Sequence, residues 1–280
     1  FVLGGSEPGF FDREVVLLTG EPGCGKSTVV LVIAQALGQR GARVLVVTGE
    51  ESVSDVAARA AKTGVTTPQT VRVVATQSWE VARAEADRFR PHFVIVDSVQ
   101  RLATMRARGR AGSVAQVEAI GTAAVDLAKR SAYGPVVLLI GHIIKDGSAA
   151  GPMGLVHDVD AHLHFSLDAA TQYRVITSHK NRGGPSGAMS VWRFDGPRLV
   201  EVLGWTAEIV RAAMASFGAV AFAAKPINGQ PYVVPVEAAV SSPRDGGTAL
   251  RRAVGFPVDR LRDIVDGLEE HAGLSLEDRD

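Results

Sequence analysis

The sequence predicts an α/β fold: a mostly parallel central sheet extended at one edge by antiparallel strands. The first observation is a series of short, continuous β-branched and aliphatic runs, VVLLT at 15–19, RVLVVT at 43–48, VRVVA at 71–75, FVIVD at 93–97 and VVLLIG at 136–141. Runs of this kind suit strands buried on both faces. The second is that segments with helical spacing (VAARAAKTG, WEVARAEADRFR and VAQVEAIGTAAVDLAKRSA) stand between some of them, as crossovers joining parallel strands do. The third is a change of rhythm after residue 160, to AHLHFS, YRVITSH, MSVWRF and RLVEV with turn-rich links too short for crossover helices. These are predicted as hairpin strands.

The first strand runs into GEPGCGKST, Gly20 to Thr28, and a helix is predicted from Thr28 to Leu37. Gly20, Gly23 and Gly25 allow the backbone to curl with its N–H groups inward, around Glu21, Pro22 and Cys24, while Lys26 and Ser27 open the helix. A nest followed by a helix N-terminus binds phosphate. In the pattern G-x-x-x-x-G-K-[ST] the lysine reaches the terminal phosphates and the hydroxyl takes a place on Mg²⁺, so ATP with Mg²⁺ is the expected ligand.

The strand 43–48 leads to Glu50 and Glu51. Hydrolysis needs a carboxylate beside the phosphates to orient or deprotonate water. Glu50 is assigned that role, and Glu51, with Ser52 and Asp55, the start of the next helix. Strand 93–97 ends in Asp97, placed to support Mg²⁺, and His142 follows strand 136–141, where a polar side chain can report the γ-phosphate.

Two loops carry unusual content. RLATMRARGRAGS, 101–113, holds Arg101, Arg106, Arg108 and Arg110 without acidic relief, and KDGSAAGPMG, 145–154, opens on Lys145. Such cations neutralise nucleic-acid phosphates where they meet them, and otherwise make a solvated loop.

A second change comes at GWTAEIV, beyond which strand-like AVAFAA and QPYVVPVEAAV, the polar link SSPRDGGT and the helical VDRLRDIVDGLEEHAG read as a second domain begun but not finished. The opening at Phe1 and the stop at LSLEDRD suggest a piece of a longer protein.

Composition narrows the classes. Among 280 residues Lys+Arg and Asp+Glu both number 30, so only a local patch can attract nucleic acid. Cys24 is the single cysteine, which excludes a disulfide or a cysteine-based zinc site within the chain and suits a reducing compartment. No run of about 18 apolar residues and no signal-like start occurs, so a cytoplasmic location without a membrane partner is expected.

Taken in order, GEPGCGKST, VVTGEES, FVIVDSVQ, GSVAQV, LIGHIIKDGSAAGP and HKNRGGPSG resemble the ATPase core of the bacterial RadA (Sms) family, RecA-related DNA-repair proteins. The KNR segment is the most telling, since the family carries a KNRFG signature that RecA lacks. Further on, QPYVVPVEAAV, ALRRAVGFPVDRL and LEEHAGLSLEDRD are similar to the start of the family's Lon-protease-like domain. The resemblance implies a RecA-like P-loop ATPase core over 1–204 and the N-terminal part of a truncated α+β Lon-like domain over 205–280, without proteolysis.

It also implies a homohexameric ring that binds single-stranded DNA and drives branch migration of recombination intermediates alongside a RecA-type recombinase. On that pattern Gly20 to Thr28 bind the nucleotide, Glu50 activates water, Ser27 and Asp97 serve Mg²⁺, and His142 couples nucleotide state to the following DNA-facing loop. Lys180 and Arg182 act across the subunit boundary as an arginine finger does. By their charge, Arg106, Arg108 and Arg110, with Lys145 in the loop after His142, are the expected DNA contacts. The family's phenylalanine is replaced by Gly183, and its four-cysteine zinc module is absent. Two other readings are a RecA-fold ATP switch assembling on protein partners and a RecA-like strand-exchange filament.

Overall fold

A computed structural model describes residues 9–66, 68–142, 152–167, 172–216, 221–227, 230–236 and 257–272. The predicted parallel strands lie on the apolar runs: β1 (Val15–Gly20), β2 (Val44–Thr48), β3 (Val71–Ala75), β4 (Phe93–Asp97) and β5 (Val136–His142). β6 (Ala161–Leu167) is parallel to β1, and β7 (Arg174–Asn181), β8 (Met189–Asp195) and β9 (Arg198–Glu201) add antiparallel pairs. The nine strands form one sheet in the order β3-β2-β4-β5-β1-β6-β7-β8-β9.

Helices cover both faces, which is why the central strands are apolar without alternation: all six residues of β1 and all five of β2 are buried. α1 (Lys26–Gln39) lies on one face, where Val29, Val30 and Ala34 join Val16, Leu18, Ile95 and Leu138. The other face packs α3 (Trp79–Phe89) and α4 (Val114–Arg130) through Ala82, Ala86, Val117, Ile120 and Leu127 against Val15, Leu17, Val96 and Leu139.

α2 (Val53–Lys62) shows how local chemistry sets a boundary. The Ser52 hydroxyl accepts from Asp55 N–H while the Asp55 carboxylate accepts from Ser52 N–H, a reciprocal capping box that starts the helix at Val53. Glu51 belongs instead to an ion pair with Arg59, two turns along. The short α5 (Pro152–Leu155) precedes β6.

The chain divides into two compact units, Phe1–Trp205 with Pro226–Pro231, and Thr206–Lys225 with Tyr232–Asp280. Beyond β9 come α6 (Trp205–Ser216), the paired strands β10 (Ala221–Ile227) and β11 (Gln230–Val236), and α7 (Val258–Ala272). No helix among the described residues is long and apolar enough to cross a membrane.

Candidate nucleotide site

β1 ends at Gly20, where the chain must turn without a side chain, because a Cβ there would collide with the Phe165 carbonyl. Gly23 (φ 82°) and Gly25 (φ 105°) occupy the left-handed region, so the loop coils back and delivers the chain to α1 with no side-chain cap. The first N–H groups of a helix have no partner within it. This cradle fits an anionic ligand, and the cation it needs is present: Lys26 is only 4% exposed, and its Nζ donates to the carbonyls of Gly20 and Glu21, 2.7 Å each. Burial holds its pKa below the usual lysine range, against the pull of Cys24, Asp97 and Glu50.

The carboxyl ends of β2, β4 and β5 place the remaining groups alongside. Burial pushes the Asp97 carboxyl up; a hydrogen bond from the Ser27 hydroxyl opposes this, and the Glu50 carboxylate adds to it. One hydroxyl and one carboxylate form the sparse protein ligand set of a Mg²⁺ held largely by substrate phosphates, so the residues fit that ion.

Glu50 Oε1 accepts from Ser98 Oγ (2.9 Å) and Arg101 Nε (3.3 Å), and His142 Nε2 stands 3.4 Å away. Burial raises its pKa, but the Ser98 bond, His142 and Arg101 outweigh that and hold the carboxyl below its ordinary value. Neither His142 ring nitrogen has hydrogen-bond geometry to a partner among the described residues. Burial and the Lys26 charge keep the imidazole pKa low, opposed by Glu50 and Asp97. The Gln100 side chain brackets the end of β5, donating to the His142 carbonyl (3.0 Å) and accepting from its N–H (3.3 Å). Sequence reasoning does not bring Ser98, Gln100 or Arg101 to this site. FVIVDSVQR signals the strand and its aspartate, but nothing in it shows that the next turn folds against Glu50 and His142.

Arg101 therefore leads from the Glu50 cluster into the arginine-rich segment, which is ordered by two anchoring side chains. Gln116, 2% exposed, accepts from Thr104 N–H and donates to the carbonyls of Thr104, Ala107 and Gly109. Glu80 accepts from Thr104 Oγ1 (2.7 Å) and Met105 N–H (2.9 Å). Desolvation works against the charged form of Glu80, yet the hydrogen bonds from Thr104, Met105 and Ser78 hold it at about 2. Arg108 and Arg110 are exposed, without an ion-pair partner among the described residues. Arg106 stands apart from them, lining a cleft between α3 and α4 with Trp79, Glu80, Arg83, Asp126 and Arg130. Lys145 lies outside the described residues.

Lys180 and Arg182 are at the opposite end of the sheet. Lys180 pairs with His162 and Asn181 with Ala161, while Arg182 N–H donates to Asp160, whose carboxylate accepts from Val15 N–H at the start of β1. The length of β1, about 17 Å at ~3.3 Å per residue, separates them from Gly20. Lys180 Nζ donates to the Val156 and His157 carbonyls (2.6 and 3.0 Å), and Arg182 reaches Asp160 Oδ1 (3.3 Å) and the His157 carbonyl (3.2 Å). At Gly183 the Phe11 ring presses on the backbone, and a Cβ would collide with it.

A family described as "AAA domain" matches residues 7–148, from the approach to β1 through β5. The chain belongs to this AAA-domain family. It is 42% identical over 185 residues to "DNA repair protein RadA" of Mycolicibacterium smegmatis, covering 65% of this chain and 39% of that protein. It is 35% identical over 286 residues to the RadA of Brucella abortus and 32% over 279 residues to that of Streptococcus pneumoniae, in both cases along 100% of this chain. The RadA (Sms) resemblance read from the motifs thus extends across the chain. These relatives are longer: the chain spans 59% and 64% of the last two. Among solved structures, one described as an "ATPase Domain" superposes with a TM-score of 0.57 at 14% identity over 69% of this chain and 86% of that one. That likeness supports the RecA-like fold.

Proposed function

We propose that the chain is the motor part of a RadA-type DNA-repair ATPase, with residues 1–204 as the RecA-like core and 205–280 as the beginning of a Lon-like domain. The observation that carries this reading is the joining of two chemistries by one side chain. Glu50, beside the phosphate cradle, is held by Arg101, and Arg101 opens the arginine-rich segment.

Gly20 to Thr28 bind the triphosphate, and Lys26 exchanges its two loop carbonyls for the terminal phosphates. Ser27 and Asp97 would hold Mg²⁺, which supplies charge neutralisation at the phosphate oxygens. Glu50 accepts the proton of the attacking water as the bond to the γ-phosphorus forms and the bond to the leaving oxygen breaks. His142, half-buried with its pKa held low by burial, lies 3.4 Å from Glu50 and reads the γ-phosphate side.

Arg108 and Arg110, fixed on the Gln116 and Glu80 anchors, offer cations to single-stranded DNA, with Arg106 and Lys145 as further contacts. A DNA phosphate that draws Arg101 outward frees Glu50, so DNA stimulates hydrolysis. Lys180 and Arg182, too far from their own cradle, serve a neighbouring subunit's nucleotide in a homohexameric ring. The assembled motor drives branch migration of recombination intermediates alongside a RecA-type recombinase.

The test is steady-state ATP hydrolysis with and without single-stranded DNA, with Lys26→Ala as the blank. We expect DNA to raise the rate severalfold and Lys26→Ala to abolish it. Turnover surviving in Lys26→Ala would remove the site assignment, and hydrolysis indifferent to DNA would favour an ATP switch that assembles on protein partners.

A further inference from the structure

The two flanks of the phosphate loop carry different groups. Glu50, Asp97 and His142 stand on the β2, β4 and β5 side. On the other side β7 runs antiparallel to β6, pairing Arg174 with Leu167, and so returns Arg174 to the same edge of the sheet as the loop. Arg174 Nε and Cδ lie 3.7 and 3.9 Å from where a Cβ on Gly25 would sit.

The rest of the side chain is fixed. Its guanidinium carbon lies 4.3 Å from the centroid of the Phe194 ring, and Nη1 donates to the Gln172 carbonyl at 2.9 Å. Its Nε is buried and has no hydrogen-bond partner among the described residues. A buried guanidinium N–H without an acceptor is costly, and in a native structure it calls for an acceptor that the protein alone does not supply. The ring beneath the guanidinium holds its plane, leaving the fork for a planar or phosphoryl acceptor.

We propose that Arg174 is a nucleotide-binding residue: stacked on Phe194, it contacts the α-phosphate end of the nucleotide, on the side of the loop away from Glu50. The proposal rests on the ATP reading of the loop. An α-phosphate contact is kept in substrate, transition state and diphosphate product alike, so it contributes uniform binding rather than rate.

The experiment is ADP binding by titration calorimetry, paired with steady-state kinetics. For Arg174→Ala we expect Kd for ADP and KM for ATP to rise about 10-fold or more, the scale of a charge-assisted hydrogen bond, with kcat changed less than about twofold. Arg174→Lys keeps the stem and charge but loses the fork. It should weaken ADP binding severalfold, and it serves as the test if Arg174→Ala does not fold. Wild-type ADP affinity in a folded variant would overturn the role of Arg174 and leave the phosphate loop untouched. A wild-type chain that does not bind ADP would overturn the ATP reading and this proposal together. A fall in kcat at unchanged Kd would also overturn it, since it would place Arg174 in the chemical step.

Discussion

His162, in β6, is buried with its Nε2 2.8 Å from Thr19 Oγ1, and its ring is 5.4 Å from that of His179. Burial, with His179 and His164 adding repulsion, pushes its pKa down to about 4. An unfolded histidine titrates near ~6.5. Between these values the unfolded state takes a proton that the folded state refuses, so stability falls as pH drops through this window and the contribution is gone below it. Urea midpoints measured from pH 7.5 to pH 4 should therefore decline, and His162→Gln should decline less steeply whatever its absolute stability. An equal slope in the variant would mean that His162 is not held neutral. This cluster is not legible in AHLHFS, because the third ring comes from β7. The phosphate loop is legible because its residues lie within nine positions of sequence. Gln116, Gln100 and Ser98 are not, since they act on groups 7 to 48 positions away that no motif links to them.

At the level of elements, strand placement follows from composition: a strand buried on both faces must be apolar throughout, and such runs stand out against helical segments. α6 is harder to see. WTAEIVRAAMAS sits between strand-like stretches, and the sequence marks GWTAEIV only as a change of domain. The segment after β4 is legible as cationic but not as built. Its arginines give the signal, while the order comes from Gln116 on α4 and Glu80 on α3. If its first arginine carries the proposed coupling, Arg101→Ala should raise DNA-free hydrolysis severalfold and shrink the stimulation by DNA, as measured by phosphate release over a DNA titration. A lowered basal rate with full stimulation would show that Arg101 supports Glu50 rather than restraining it.

For the whole molecule, the decisive fact is that the cradle and the Lys180–Arg182 pair lie at opposite ends of one sheet. A group that stabilises a transferring phosphoryl must touch it, so these cations cannot serve their own subunit. Mixing two variants, each expected to be inactive, tests the proposed trans role. Arg182→Ala subunits retain Glu50, and Glu50→Ala subunits retain Arg182. At equal mixing about a quarter of the boundaries in a ring combine both intact groups. Partial recovery of hydrolysis is expected, scaling with that fraction. No recovery under conditions where the two proteins co-assemble would remove the trans role. KNR acquires a meaning in the sequence only through resemblance; its distance from the cradle needs the sheet register.

The Phe11–Gly183 contact has a consequence for how variation in this chain should be interpreted. The family signature carries a phenylalanine where Gly183 stands, and here the neighbouring volume is taken by a ring from near the start of the chain. Positions 11 and 183 are thus sterically one site written in two places. An aromatic placed at 183 alone would meet the Phe11 ring, so the half-exposed Phe11 side chain would have to swing out to admit it.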